Sequence, residues 1–292
     1  MASLARSVPA PRATTQASSR RVARLVLLYA GMVAVGFLMM APFYFMVATS
    51  FTTEAEAFSY PPKWIPPTVT FANYARMATV MPFAQFYLNS TIITLSVLVG
   101  QLLVCSMAGY AFARLRFPFR GPAFSLVLGS MMIPHIVNII PLYVMFKSLN
   151  WINTFYPLIV PPIFTGSFGA FLMRQYFMTI PEELEEAARI DGASTLTIFT
   201  RIMMPLAKPA LAALAIFTFM GTWNDFFNPL LFINSKSKMT ITLGIAALRG
   251  EYSSEWTVMM AAATASVIPI LIVYAIAQKH FIQGITLTGL KT

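Results

Sequence analysis

At 292 residues, with 58% hydrophobic and 10% charged side chains and a mean hydropathy of +0.70, the chain is excluded from the ordinary soluble domains and belongs in a bilayer. A single cysteine, Cys105, excludes disulfides and thiolate metal sites, and two histidines supply no cluster of ligand spacing, so no metal is expected. The net charge of +10 comes from basic residues scattered between apolar runs, not from one basic face, so nucleic acid is not an expected partner.

Residues 1–24 carry Arg6, Arg12, Arg20, Arg21 and Arg24 without an acid, among Ser, Ala, Pro and Thr, which reads as a disordered basic tail. No charge then occurs from Leu25 to Thr53, a run too long for the apolar core of a cleaved signal peptide, and span one is centred on residues 25–48. Residues 54–83 gain Pro61, Pro62, Pro66 and Pro67 with Trp64 and Tyr74, an irregular or interfacial excursion with aromatic anchors. Span two runs from near Phe86 to near Phe112, followed by the short RLRFPFR turn. Span three covers roughly Pro122 to Tyr143, interrupted by Pro134 and Pro141; span four covers roughly Ile152 to Leu172, interrupted by Pro157, Pro161 and Pro162. Such breaks are tolerated at membrane depth only where protein or a polar cavity satisfies the freed backbone groups.

Residues 179–209 form the one long polar, charge-dense run. Thr179 and Glu182 have capping-box spacing, and Pro181 with Glu182, Glu183, Glu185 and Glu186 suits a helix start, so a short helix is expected to about Asp191. Gly192 supplies the left-handed conformation after it. Ser194 then caps a second helix on which Leu196, Phe199, Ile202 and Met203 share a face, and which Pro205 and Pro209 close.

Span five follows from about Leu206 to Leu231 and contains Trp223, Asn224, Asp225 and Asn228; span six runs from about Trp256 to Ala277. Each span meets the requirement of roughly 20 residues for crossing. Asp225 lies about 28 Å from the start of its span at about 1.5 Å per residue, toward one edge of the hydrocarbon. A carboxylate deeper in the membrane costs about 2.5–3.5 kcal/mol, so either an interfacial acid or a polar path accounts for it. Asn and Asp beside an aromatic ring are the groups that bind a sugar, hydroxyls on one side and the apolar ring face on the other. Asn138 and His135 in span three are weaker candidates.

With six spans and both termini in the cytoplasm, Lys and Arg divide fourteen inside to six outside, which places residues 179–209 in the cytoplasm. The sequence has no G-x-x-x-x-G-K-[ST] stretch, so any nucleotide hydrolysis is expected from a partner, and the chain itself is not expected to be an enzyme. An ion-driven secondary carrier would place ionisable groups in several spans, whereas Asp225 is the only acid in any of them.

EAARIDGA followed by RIMMP resembles the EAA loop of binding-protein-dependent ABC importer permeases. Glu186, Ala187, Ala188, Gly192, Ile202 and Pro205 fall in its register, and Met204 stands where Leu is usual. TWNDFFNPLLF, MMIPHIVNIIPLY and FIQGITLTGLKT look like the smaller permease of maltose-type and glycerol-phosphate-type sugar importers, over essentially residues 25–292. The resemblance implies an all-α membrane protein with six transmembrane helices. A basic tail (1–24) would precede a transmembrane domain (25–283) that includes the coupling helix-turn-helix, and a short tail (284–292) would follow.

It further implies that Glu186, Ala187, Ala188, Asp191, Gly192, Ile202 and Pro205 meet a cytoplasmic ATPase. Trp223, Asn224, Asp225, Asn228 and Asn138 would line or adjoin the path of a carbohydrate or glycerol-phosphate-like solute across a prokaryotic cytoplasmic membrane. The implied partners are membrane lipid, a homologous second permease, two copies of the ATPase and an extracytoplasmic solute-binding protein. No cofactor is expected on this chain, ATP and Mg belonging to the ATPase. The alternatives are a permease for a non-sugar solute and the ion-driven carrier.

Overall fold

The computed structural model describes residues 15–61, 63–251 and 255–289, with side chains placed for 22–61, 63–249 and 255–276. Every regular element among them is helical: α1 Thr15–Ser50, α2 Ala72–Val80, α3 Phe83–Arg114, α4 Arg120–Met131, α5 Ile139–Ser148, α6 Tyr156–Phe164, α7 Ser167–Phe177, α8 Glu183–Ile190, α9 Thr195–Leu206, α10 Lys208–Trp223, α11 Phe227–Phe232, α12 Ile241–Glu251 and α13 Trp256–Gly289. Four helices among the described residues are long and apolar enough to cross a membrane: Val22–Ser50, Phe83–Arg114, Tyr156–Phe177 and Trp256–Ile276. The number rises to six if two bent pairs each count as one span.

The central element is α3, which packs against α6, α7, α10 and α12. Its buried side is assembled from small and polar residues, Asn89, Ser90, Thr94, Ser106 and Gly109, between larger Phe86, Ile93, Val97 and Tyr110. Small residues let helix backbones approach closely where lipid removes the usual hydrophobic drive between helices. The opposite side shows Leu88, Ile92, Leu95, Val99, Leu103 and Met107 at helical spacing, all exposed, as suits a face turned to lipid or to another subunit. Helix α1 lies against α13 and its apolar residues are exposed along most of their length.

Several boundaries differ from expectation. The helix of the first span already starts at Thr15, inside the segment read as a tail, and α13 continues to Gly289; residues 1–14 and 290–292 lie outside the described residues. The 54–83 excursion holds a helical turn, Glu54–Ala57, and α2, which packs on α13. Glu54 accepts hydrogen bonds from the backbone N–H of Trp256 and from the Thr257 hydroxyl, so it caps the start of α13 at 3.1 and 2.7 Å. Arg76 pairs with Glu255, which raises the guanidinium pKa through that hydrogen bond and the carboxylate charge.

The prolines act selectively. At Pro134 the chain bends by 93° between α4 and the segment His135–Ser148, but Pro141 sits in the first turn of α5, where a missing N–H costs nothing. Pro157 likewise opens α6, and Pro161 and Pro162 lie inside it; the break comes after them, at Thr165–Gly166. The carbonyl of Pro162, which loses its helical donor there, accepts instead from Gln101 Nε2 at 2.8 Å, and the Gly166 carbonyl accepts from Cys105 Sγ at 3.2 Å. A side chain on α3 thus satisfies the freed Pro162 carbonyl, as membrane depth requires, while the Gly166 carbonyl also receives the Ala170 N–H at 2.9 Å at the start of α7.

The α3–α7 contact is closest at Gly109, where an added Cβ would stand 2.5 Å from Met173 Cβ and 2.8 Å from the Arg174 backbone nitrogen. We expect Gly109→Ala to cost about 1–3 kcal/mol, because backbone must move to admit it. Gly129→Ala, with nothing within 4 Å of the new methyl, should be neutral or slightly stabilising. Thermal denaturation in detergent, followed by size-exclusion fluorescence, compares the two. Equal melting of Gly109→Ala and wild type would show that this approach does not fix α3 on α7.

Candidate functional site

The 179–209 segment folds as two short helices with one turn. Helix α8 ends at the Asp191 C-cap, and Gly192 follows at φ +81°. The N–H of Ala193 donates to the Ala188 carbonyl at 2.9 Å and the N–H of Gly192 to the Arg189 carbonyl at 3.0 Å, the two bonds of a Schellman closure. Only a residue at ease with positive φ closes a helix this way, which is why glycine stands there. Ser194 Oγ then accepts from the Thr197 N–H at 3.2 Å and caps α9.

Two local expectations are corrected. Thr179 does not cap α8: its hydroxyl donates back to the Tyr176 carbonyl at 2.7 Å, and Glu182 occupies the N-cap position without a capping bond. The inner face of α9 is Ile198, Phe199 and Met203 with Ile202 half-buried, while Leu196 is 70% exposed. The buried set Ile198, Phe199, Ile202 and Met203 keeps i, i+1, i+4, i+5 spacing and leaves Leu196 at its edge; a π-turn covers Phe199–Met203. Outward, the turn presents Glu186, Ala187, Asp191, Gly192 and Pro205 together with the apolar Ile190 and Leu196; Ala188 packs inward.

What holds this segment to the bundle is Arg114, the last residue of α3. Its Nη1 lies 2.9 Å from Glu182 Oε1, and its Nε lies 3.0 Å from Glu185 Oε1, an ionic contact whose N–H is not aimed along the line. Nη2 donates to the Phe177 carbonyl at 2.8 Å and to the Ile180 carbonyl. Tyr110 OH donates to the other oxygen of Glu185 at 3.1 Å, and Arg189 approaches the same oxygen at 3.5 Å. Arg114 and Glu185 side chains are 6% and 4% exposed, so the pair is buried. Around them Tyr110, Met173, Phe177, Ile198 and Met203 form one apolar cluster.

Two further arginines close the end of α3. Arg120 donates to the carbonyls of Phe112, Ala113 and Leu115, and Arg174 to that of Phe112, where the helix dipole favours positive charge. Sequence reasoning treated these arginines only as markers of membrane orientation and passed over Glu185 as one of several acids in a first turn. The signal available was weak: alone among the four glutamates, Glu185 lies three residues before Ala188 on the same helical face.

Farther along the bundle, the breaks in the bent helices open a cavity of about 930 Å³. Asp225, Asn228, Asn138 and His135 line it, with Gln101 and Thr218 deeper in. Gln101 bridges two helices, its amide oxygen accepting from the Thr218 hydroxyl at 2.7 Å; it is the only amide in the middle of a charge-free run, a signal that sequence reasoning did not use. Asp225 accepts from the backbone N–H of Asn228 at 3.2 Å and from its amide at 2.8 Å, so it also starts α11.

Trp223 and Asn224 do not line the cavity. Trp223 is buried, stacked on Phe219 and edge-on to Tyr87, with Nε1 donating to the Ser266 carbonyl at 3.0 Å. Asn224 donates to the Met220 carbonyl at 2.9 Å and is exposed elsewhere. The rings that do face the cavity are Phe146, Phe164, Phe168, Phe217 and Phe232.

Residues 105–287 match the family described as binding-protein-dependent transport system inner membrane component. The chain is 34% identical over 268 residues to the arabinooligosaccharides transport system permease protein AraQ of Halalkalibacterium halodurans, covering 91% of this chain and 96% of the relative. It is 32% identical over 268 residues to the sn-glycerol-3-phosphate transport system permease protein UgpE of Pectobacterium atrosepticum, covering 89% and 94%. The fold superposes with a TM-score of 0.77 at 25% identity, over 93% of this chain and all of the other, on a chain of a bacterial ABC transporter involved in the import of the acidic polysaccharide alginate.

Removing the charge of Glu185 tests the anchor. Glu185→Gln removes the buried partner of Arg114 and leaves only the exposed Glu182 as its counter-charge, and breaking a buried pair costs about 3–5 kcal/mol. Glu182→Gln, at a side chain 79% exposed, should cost about 1 kcal/mol or less. Limited proteolysis of the 179–209 segment in membranes measures the difference. Protease resistance unchanged in Glu185→Gln would show that the buried pair does not secure the segment.

Proposed function

The chain belongs to the binding-protein-dependent transport system inner membrane component family, and we propose that it is the carbohydrate permease subunit of an ATP-driven importer. The observation that carries this reading is continuity: one helix, α3, holds the exposed coupling turn at its last residue through Arg114 and borders the cavity midway through Gln101. A movement imposed on the turn therefore reaches the cavity through a single rigid element. Transitions of this kind rest on two discrete packings of rigid helices.

In this reading the chain crosses a prokaryotic cytoplasmic membrane six times with both termini inside. The turn, with Ile190 and Leu196 exposed beside Ala187 and Gly192, docks one of two copies of an ABC ATPase. Glu186, Ala187, Asp191, Gly192 and Pro205 supply contact surface there, while Ala188 and Ile202 hold the two helices together. A homologous second permease covers the exposed apolar faces, and an extracytoplasmic binding protein delivers solute to the opposite end. ATP and Mg are bound by the ATPase, and this chain performs no covalent chemistry.

A carbohydrate suits the cavity because phenylalanine rings face it beside Asn138, Asn228, Asp225 and Thr222, and sugars present an apolar ring face and an edge of hydroxyls. Arabinooligosaccharides, named for one relative, have that chemistry. Asp225, Asn228 and Asn138 are the path residues on this side. Trp223 serves by fixing the end of α10, just before Asp225, and Asn224 by closing that helix.

The complete importer, with both permeases, ATPase and binding protein in proteoliposomes, should take up sugar only with ATP, and this subunit alone should take up none. Gly192→Val places a β-branched residue at positive φ and should abolish stimulation of the ATPase by loaded binding protein while the complex still assembles. Normal stimulation would remove the turn from the coupling route. Asn138→Ala should lower sugar affinity about 2- to 13-fold, the value of one hydrogen bond, and Asn224→Ala should leave it unchanged. The opposite ranking of those two variants would place the path elsewhere.

A further inference from the structure

Among the described residues lining the cavity, Asp225 and His135 are the ionisable ones, and neither a lysine nor an arginine is among them. Asp225 is held against the wall by the backbone N–H and the side-chain amide of Asn228, while the Thr242 hydroxyl fixes its own carbonyl at 2.7 Å. These contacts orient the carboxylate and neutralise none of its charge, because every donor in them is uncharged. Arg114, Arg120 and Arg174 donate to helix-end carbonyls, and Arg114 also pairs with Glu182 and Glu185.

We propose that Asp225 is a specificity-determining residue of this cavity, favouring neutral and amine-bearing sugars and opposing sugars that carry a carboxylate, phosphate or sulfonate. The inference rests on the reading of the cavity as the solute path. An anionic group brought within about 4 Å of the carboxylate is disfavoured about fivefold even at the dielectric of bulk water, and more strongly in a cavity walled by phenylalanine. A neutral sugar meets the same wall through hydroxyls, which donate to a carboxylate without a charge penalty.

The test reads the local potential without needing the natural cargo. Thr222 lines the cavity one turn before Asp225 on the preceding helix, and Thr222→Cys places a thiol there. The probes are two methanethiosulfonate reagents of similar size, one bearing a trimethylammonium and one a sulfonate, applied to the assembled importer. Each thiolate attacks the reagent's sulfenyl sulfur, forming a mixed disulfide and releasing methanesulfinate. The parent chain, whose Cys105 is buried, gives the blank.

Relative to their rate ratio with free 2-mercaptoethanol, the cationic reagent should be favoured at least about fivefold. Asp225→Asn should bring that ratio back to the free-thiol value, since the amide of Asn228 can turn over to keep its pairing, and Asp225→Glu should retain the preference. Because each comparison is made at one pH, His135 contributes equally to both sides. A ratio that does not change between Asp225 and Asp225→Asn overturns the proposal, as does a thiol that neither reagent reaches.

Uptake separates the two levels. In proteoliposomes, Asp225→Asn should raise transport of a uronate-terminated trisaccharide relative to its neutral parent by a similar factor. A charge-dependent thiol ratio with uptake of both sugars untouched by Asp225→Asn would overturn the selectivity and point to a path that bypasses this cavity, while leaving the ATPase-coupled permease reading intact.

Discussion

The contact on which the rest of the molecule depends is the buried ion pair between Arg114 and Glu185. Two charges taken out of water stabilise a protein only when each is well partnered, and here each has several partners. Arg114 also serves the carbonyls of Phe177 and Ile180 and the carboxylate of Glu182; Glu185 also accepts from Tyr110. The arrangement joins three elements at one point: the end of α3, the end of α7 and the start of α8. A buried network of this kind is demanding of geometry, so it fixes the orientation of the coupling segment more firmly than apolar packing alone would.

That orientation has a functional consequence. With Glu185 and Ala188 turned inward, the same short helix leaves Glu186, Ala187 and Ile190 exposed. The Schellman closure at Gly192 then folds α9 back so that Ile198, Phe199 and Met203 enter the apolar cluster under the pair. The segment is a lever with one end buried in the bundle and its turn free.

The membrane portion solves a second problem, which is how to keep a polar cavity among broken helices. The break after Pro162 frees a carbonyl that lipid cannot satisfy, and α3 supplies the replacement through Gln101. Gln101 is held by Pro162 on one side and Thr218 on the other, so it ties α3 to the broken helix and to α10 beside the cavity. Structural satisfaction and cavity lining fall on the same residue, which explains an amide at that depth.

Much of this was legible in the sequence. Hydropathy placed the apolar runs because the bilayer imposes a length on any helix that crosses it. The Gly192 turn and the Ser194 cap were also readable, since both depend on interactions within a few residues. What local spacing could not decide was anything set by packing between distant segments. Leu196 is exposed while Ile198 is buried; Trp223, two residues before Asp225, points into the core on Phe219 and Tyr87; and α6 runs through Pro161 and Pro162 before breaking. The partnership of Arg114 with Glu185, far apart in the chain, lay beyond any motif, as did the role of Gln101. The apolar runs and the turn at Gly192 could be read from the sequence, because periodicity and backbone conformation are local properties. Only the tertiary structure decided which polar residues face the cavity and which charges are buried together, because those depend on how helices pack across the chain.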